Sequence, residues 1–181
     1  ILLILLQTGC NSSKTTLQEI HEQTADVLLG NGTPVVGSLG GEWVVIGLSR
    51  SGKLTEDAAK GYLENAEAYV KDIGSERLHR VKSTDNSRMI LGITAAGGDP
   101  TNIGGYDLTA GLSDMEYIKG QGNNGPIWAL IALDSKQYEI PKAKNPKNQT
   151  TREKLVAYIL SAQNSDGGWG LTDDRSDIDM T

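Results

Sequence analysis

The sequence has little cysteine, no phenylalanine and few other aromatic residues, and each shortage excludes a class of protein. Cys10 is the only cysteine among 181 residues, so neither a disulfide within the chain nor a cysteine-rich zinc site can form. Aromatic residues make up 5% of the sequence, which leaves few side chains to line an aromatic cavity that would hold a cation. Trp43 and Trp128 are the main candidates, and both would serve equally well as core residues.

Positive charge is also scarce in this chain. It has 17 Lys and Arg against 23 Asp and Glu, which gives a formal net charge of −6 and an isoelectric point near 4.9. Because no stretch concentrates Lys and Arg, we predict no nucleic-acid partner. The glycine pairs at 97–98 and 104–105 lack the flanking strand and the lysine of a phosphate-binding loop, and we predict no cofactor.

The first residues resemble the end of an export signal. An apolar run of six residues opens the chain, far short of the roughly 20 residues that span a bilayer as a helix. Leu6-Gln-Thr-Gly-Cys10 then resembles a bacterial lipobox, although Gln7 stands where an aliphatic residue is usual. We predict that residues 1–15 are an export-signal remnant or a lipoprotein-like leader. Cys10 is then a lipidation site, part of a plain secretory signal, or an incidental buried thiol.

Either export interpretation places the protein outside the cytoplasm, in the extracellular space or at the cell surface. Contact with the membrane is expected only through a lipid anchor on Cys10.

From Thr16 onward amphipathic and apolar segments alternate, which predicts an all-α protein. Amphipathic helices are expected at 16–29, 55–71, 108–118 and 150–163, and apolar helices at 43–48, 89–96 and 127–133. Thr16, Thr55, Asp85 and Thr150 are the predicted N-terminal caps. The segment 43–48 favours a strand by propensity alone, but we assign it to a helix because the same position recurs later among clear helices.

The apolar helices repeat at a regular interval. Gly47, Gly92 and Ala132 occupy equivalent positions with separations of 45 and 40 residues, the period of helical-hairpin repeats. The sequence thus predicts an array of helix pairs with apolar inner helices and amphipathic outer ones.

The end of the chain carries the most specific motif. Tyr158 and Ile159 are followed after three residues by Gln163, and after three more by Gly167 and Trp169. This spacing resembles the QW motif of the squalene-cyclase and protein-prenyltransferase α-α toroids. Its predicted role is structural, because the glycine turn lets the chain reverse and lay Trp169 over the helix end that carries Gln163.

Three other segments, 41–48, 99–106 and 124–134, look like those of bacterial surface proteins with a prenyltransferase-like domain. The resemblance covers about residues 16 to 181 and implies an α/α toroid. Three helix pairs and half of a fourth would form the first half of its barrel.

The resemblance leaves two functional hypotheses open. In the first, the chain is a non-catalytic module that binds a small molecule, a glycan or a peptide on the concave face where inner helices begin. The side chains expected there are Glu42, Arg88, Asn124, Asp177 and Asp179. In the second, it is an isoprenoid-processing enzyme, a terpene cyclase or prenyltransferase-like protein, whose remaining catalytic residues lie downstream.

Asp177 and Asp179 are the candidate catalytic acids of the enzyme hypothesis. Squalene-cyclase relatives protonate an alkene with Asp-x-Asp-Asp-Thr, but Met180 replaces the second of the adjacent acids. Alternatively, the two aspartates cap a helix N-terminus. Apart from Cys10 the chain offers only His21 and His79 as further zinc ligands of the prenyltransferase type, and we predict no metal site. We therefore favour the binding hypothesis.

Overall fold

The computed structural model describes residues 16–37, 40–172 and 175–181, and in these ranges it contains seven α-helices and no β-strand. The all-α prediction is therefore confirmed. The helices are α1 (Leu17–Gly30), α2 (Glu42–Arg50), α3 (Glu56–Ile73), α4 (Ser83–Ala95), α5 (Met115–Lys119), α6 (Asn124–Asp134) and α7 (Arg152–Ser161). The predicted leader, with Cys10, lies outside the described residues.

Helix α2 resolves the one segment in which propensity and repeat position disagreed. Val45 and Leu48 are fully buried, and residues three apart lie on one face of a helix but on opposite faces of a strand. The assignment of 43–48 to a helix is correct, because packing of this face outweighs the strand preference of its β-branched residues.

Helix α7 begins one residue later than predicted. The hydroxyl of Thr151, not of Thr150, accepts the hydrogen bond from the N–H of Lys154. The N–H of Thr150 instead donates to the carbonyl of Ser113 at 2.8 Å, next to the isolated bridge between Asp114 and Gln149. The predicted capping box at Thr150 is therefore wrong by one position.

The predicted cap of α4 is also wrong, since Asp85 lies inside the first turn and Lys82 precedes the helix. The side-chain carbonyl of Gln121 accepts from the N–H of Thr84 at 2.8 Å and from the hydroxyl of Ser83 at 3.2 Å. A residue distant in sequence thus satisfies a free N–H group of this helix end, so no local cap is needed.

Helices α2, α4 and α6 form a row in which α4 contacts both neighbours. Arg88 of α4 pairs with Glu42 at the start of α2, and the carbonyl of Ala95 at the end of α4 accepts a hydrogen bond from the hydroxyl of Ser49 near the end of α2. Both pairs are 46 residues apart, so α2 and α4 run in the same direction. Helix α6 follows the same direction, because Ser83 lies against Gly125 and Thr94 bonds to Tyr138, 44 residues on.

The core lies on one side of this row. Tyr62 of α3, Ile90 of α4 and Leu133 of α6 are completely buried.

The segment 108–118, predicted as one short helix, is divided into a 3-10 helix, Ala110–Leu112, and helix α5, because the carboxylate of Asp114 caps a new helix start. Its predicted apolar residues are all buried nonetheless: Leu108, Leu112, Met115 and Ile118.

The predicted apolar faces of α1 and α7 are mostly exposed. Leu17 and Val27 of α1 are 87% and 65% exposed, because no neighbouring element in the described chain covers that face. In α7 only Leu155 is buried, whereas Leu160 is 62% exposed. No helix in the described part of the chain is long and apolar enough to cross a membrane.

Candidate functional site

The row of α2, α4 and α6 presents a partly open face that the described chain does not cover. On α4, Thr84, Arg88, Leu91 and Ala95 are only partly buried, and their spacing of four, three and four residues places them on one stripe. The completely buried Ile93 lies on the opposite side of the same helix. We define the row face as the open stripes of the three helices: Trp43 and Gly47 of α2, Thr84, Arg88, Leu91 and Ala95 of α4, and Asn124, Trp128 and Ile131 of α6.

Two indole rings meet on the row face. The ring centroids of Trp43 and Trp128 are 5.2 Å apart and the ring planes are tilted by 59°. Because α4 lies between α2 and α6, the two side chains meet over α4, near the level of Thr84 and Arg88. Trp43 remains 41% exposed, and neither indole N–H has a hydrogen-bond partner within the described residues. This pair is therefore an aromatic patch with unused donors, unlike a tryptophan in a closed core.

Glu42 lies beneath the row face rather than on it. It is 1% exposed, and its carboxylate accepts from Nε of Arg88 at 3.2 Å and from the N–H of Gly37 at 2.9 Å. Arg88 also donates from Nη2 to the carboxylate of Asp85 at 3.2 Å. The arginine is thus held between two carboxylates, which fixes its position and compensates its charge.

Gly92 creates the space for this buried carboxylate. A Cβ atom at Gly92 would lie 2.3 Å from the hydroxyl of Tyr62 and 3.0 Å from Cγ of Glu42. Burial raises the pKa of Tyr62 far above its ordinary value, and the negative charge of Glu42 is the second, smaller cause. Tyr62 therefore remains a neutral hydroxyl and serves as packing beside the ion pair.

Asn124 is the first residue of α6 and is partly buried. Among the described residues its side chain has no hydrogen bond to Glu42, to Arg88 or to any other group. The preceding Asn123, in contrast, is hydrogen-bonded: its side-chain amide donates to the carbonyl of Gly170 at 2.7 Å and its N–H donates to the carbonyl of Leu171. Asn124 thus retains a free amide at the helix start.

The residues of the predicted tryptophan turn interact with one another. The indole N–H of Trp169 donates to the carbonyl of Ile159 at 2.7 Å, and the side-chain amide of Gln163 donates to the carbonyl of Gly167 at 2.7 Å. Gly167 has φ +87°, a conformation that L side chains rarely adopt. Tyr158 packs partly against the core. These hydrogen bonds use the polar atoms of Gln163 and Trp169 to hold the chain reversal after α7.

Asp177 and Asp179 belong to the segment that follows this turn. One carboxylate oxygen of Asp177 accepts from the N–H groups of Asp179 and Met180 at 3.0 and 2.9 Å, and the N–H of Asp177 donates to the carbonyl of Trp169. Within the described residues neither aspartate contacts Glu42 or Arg88 through a hydrogen bond or ion pair. The five predicted ligand residues are therefore not gathered in one place. Glu42 and Arg88 form one ion pair, Asn124 makes no contact with that pair through a hydrogen bond, and Asp177 and Asp179 lie on the terminal turn.

The candidate zinc ligands do not meet. Nδ1 of His79 accepts from the N–H groups of Val81 and Lys82 at 3.1 Å, and His21 lies on α1. The described residues contain no group of three or more His, Cys, Asp or Glu side chains placed to hold a metal ion.

Sequence reasoning missed the buried amide of Asn86. Its side chain accepts from the N–H of Leu78 and donates to the carbonyls of Glu76 and Leu108, at 3.0, 2.6 and 3.0 Å. It therefore fastens two connecting segments to α4. The signal was present, because Asn86 shares a helical face with the apolar Ile90 and Ile93, where an amide is buried only when it is hydrogen-bonded.

Comparisons with known proteins give no match: no family model fits the chain, and neither a curated protein nor a solved structure resembles it significantly.

Proposed function

We propose that this chain is a non-catalytic binding module that holds its ligand on the row face. The observation that carries the proposal is the partly exposed contact between Trp43 and Trp128. Burying apolar surface stabilises a fold by about 25 cal/mol per Å², so two large indoles that stay partly in water contribute less to the free energy of unfolding than buried ones would. Contiguous exposed apolar surface of this kind typically marks a binding site.

The row of parallel helices is, in this proposal, part of an α/α toroid. Support comes from the near-constant separation of equivalent contacts, 46 residues between Glu42 of α2 and Arg88 of α4, and 44 between Thr94 of α4 and Tyr138 in the segment after α6. A second support is the amphipathic α3, whose outward face carries the ion pairs Lys60–Glu64 and Lys71–Glu67. In such an arc the row face is concave, and ligand pockets favour concave surfaces with a few polar groups.

Binding is favoured over isoprenoid chemistry because of how the acidic residues are used. The carboxylate of Asp177 already accepts hydrogen bonds from two backbone N–H groups, which is the role of a cap. A catalytic acid, in contrast, must carry a proton that it can donate to the substrate. On the row face, the only ionisable side chain is Arg88, and it is held by Glu42 and Asp85. The enzyme hypothesis predicts turnover of squalene or of a prenyl diphosphate, lost in Asp179→Asn, and that result would replace the binding proposal.

We also propose that the module is exported to the cell surface or beyond, on the strength of the apolar run and the Gly9-Cys10 pair in the leader. Expressed from its full gene in a bacterium, the protein should leave the cytoplasm. Cys10→Ala should move it from the membrane fraction to the soluble fraction if the cysteine is lipidated. Cytoplasmic retention of the native protein would contradict export.

The binding proposal is tested by calorimetric screening of the purified chain against small molecules, glycans and cell-wall peptides. Any ligand found is then titrated into Trp43→Ala and Trp128→Ala, with Trp169→Phe as the control for a tryptophan outside the row face. Loss of binding in the first two variants alone is expected. Binding that persists in both would place the ligand elsewhere on the protein.

A further inference from the structure

We infer that the ligand of the row face is an uncharged saccharide. The inference rests on the binding function proposed above and adds the chemical class of the ligand. It follows from one juxtaposition: two tilted, partly exposed indoles lie over α4, beside polar groups that are free but neutral and an arginine whose charge is already compensated.

The compensated charge argues against an ionic ligand. Arg88 donates to Glu42 and to Asp85, each at 3.2 Å, so an anion would have to compete with two carboxylates that are already in place. Two carboxylates face one guanidinium here, but neither is free for a cation, because Glu42 is 1% exposed and the carboxylate of Asp85, which is 23% exposed, already accepts from Arg88. Separating such a pair leaves a buried charge without a partner, at a large cost in free energy.

The groups that remain for a ligand are neutral hydrogen-bonding groups. Within the described residues no partner binds the indole N–H of Trp43 or Trp128, the hydroxyl of Thr84 or the side-chain amide of Asn124. Together they offer donors and acceptors without formal charge. Sugar hydroxyls both donate and accept, so a saccharide matches this set, whereas a hydrocarbon would leave all of it unused.

The indoles provide the other half of saccharide recognition. A sugar ring has a face of C–H groups that packs on an aromatic ring, while its hydroxyls point outward around the rim. The tilt of 59° between rings 5.2 Å apart gives an angled surface instead of a flat one. A rigid polycyclic hydrocarbon would need a flat, continuous apolar surface, and here Thr84 and Arg88 interrupt it.

The test uses defined oligosaccharides as probes. Chitohexaose, cellohexaose and maltohexaose are the neutral probes, the chitosan hexamer is the positively charged match of chitohexaose, hexagalacturonate is the anionic probe, and testosterone is the neutral apolar one. We expect saturable binding of at least one neutral oligosaccharide, with an affinity that added salt leaves unchanged, because screening acts on charges. Trp43→Ala and Trp128→Ala should each weaken it about tenfold, and Trp169→Phe should not.

Thr84→Val and Asn124→Ala provide a second pair of variants in case the tryptophan variants unfold. Their side chains make no internal hydrogen bond among the described residues, so the fold should survive, and each should weaken binding several-fold. Binding of only the charged probes or of testosterone, lost in the same variants, would overturn the saccharide inference and leave the binding function standing. Failure of all these probes would also overturn it, and an empty result in the wider ligand screen would then remove the binding function itself.

Discussion

The buried side chains of Tyr62 and Glu42 predict opposite effects for alanine at two glycines in the middle of parallel helices, Gly47 of α2 and Gly92 of α4. Replacing glycine by alanine inside a helix stabilises it by about 0.8–1 kcal/mol, because alanine loses less backbone entropy. At Gly47 of α2 a new Cβ meets no atom within 4 Å. Gly47→Ala should therefore raise the free energy of unfolding by nearly this amount.

At Gly92 the same change introduces a collision. The new Cβ would lie 2.3 Å from the hydroxyl of Tyr62, a side chain with no exposed surface, and 3.0 Å from Cγ of Glu42. Overpacking of a closed core costs typically 1–3 kcal/mol, which exceeds the helix gain. Gly92→Ala should therefore lower the free energy of unfolding by about 1–2 kcal/mol, with the additional cost of disturbing the ion pair of Glu42 with Arg88.

Urea unfolding followed by circular dichroism measures both variants against the native protein. Tyr62→Phe removes the oxygen that makes the closest approach, so Gly92→Ala should be less destabilising in that background by about 1 kcal/mol. If Gly92→Ala stabilises the protein as much as Gly47→Ala does, the packing of Tyr62 and Glu42 against α4 is wrong.

Three other perturbations have defined outcomes. Arg88→Met leaves the carboxylate of Glu42 buried without its charged partner and should lower the free energy of unfolding by about 3 kcal/mol; an unchanged urea midpoint would show that Arg88 does not compensate the charge of Glu42. Trp169→Phe removes one indole hydrogen bond and should cost about 1 kcal/mol, whereas equal stability in thermal melts would argue against the terminal turn. The pKa of Asp114 lies below its ordinary value: burial raises it, but the hydrogen bonds that its carboxylate accepts from Arg77 and from backbone N–H groups outweigh burial and lower it. The stability from this carboxylate is present above its unfolded pKa and is lost as pH falls through the folded pKa, so Asp114→Asn should lose less stability than the native protein between about pH 5 and about pH 2. Identical acid titrations would contradict this.

The helical periodicity of the sequence predicts the helices well, because each element carries a local signal. Thr16 and Thr55 cap α1 and α3 as expected, and Asn124 lies at the start of α6, where an inner helix was expected to begin. What the sequence does not reveal is which side of a helix meets a neighbour. The stripe on α1 that contains Leu17 has regular helical spacing, yet it is exposed, and Ala25 is the buried residue.

The candidate site was less predictable, because it depends on contacts across the row. Aligning Gly47 with Gly92 treats them as equivalent, but only the second faces buried side chains. No spacing in the sequence indicates that Trp43 and Trp128, 85 positions apart in the chain, touch over an intervening helix. Glu42 was predicted at a helix start facing a ligand, whereas its carboxylate turns inward to Arg88.

The central claim is that Trp43 and Trp128 form one exposed binding surface, separate from Trp169. Fluorine NMR of protein labelled with 5-fluorotryptophan tests it directly, since the chain has only three tryptophans. Trp43→Phe should remove one resonance, shift that of Trp128 and leave that of Trp169 in place, and a bound neutral oligosaccharide should move the Trp43 and Trp128 resonances together. A Trp128 resonance that ignores Trp43→Phe, or a ligand that moves only the resonance of Trp169, would contradict the claim.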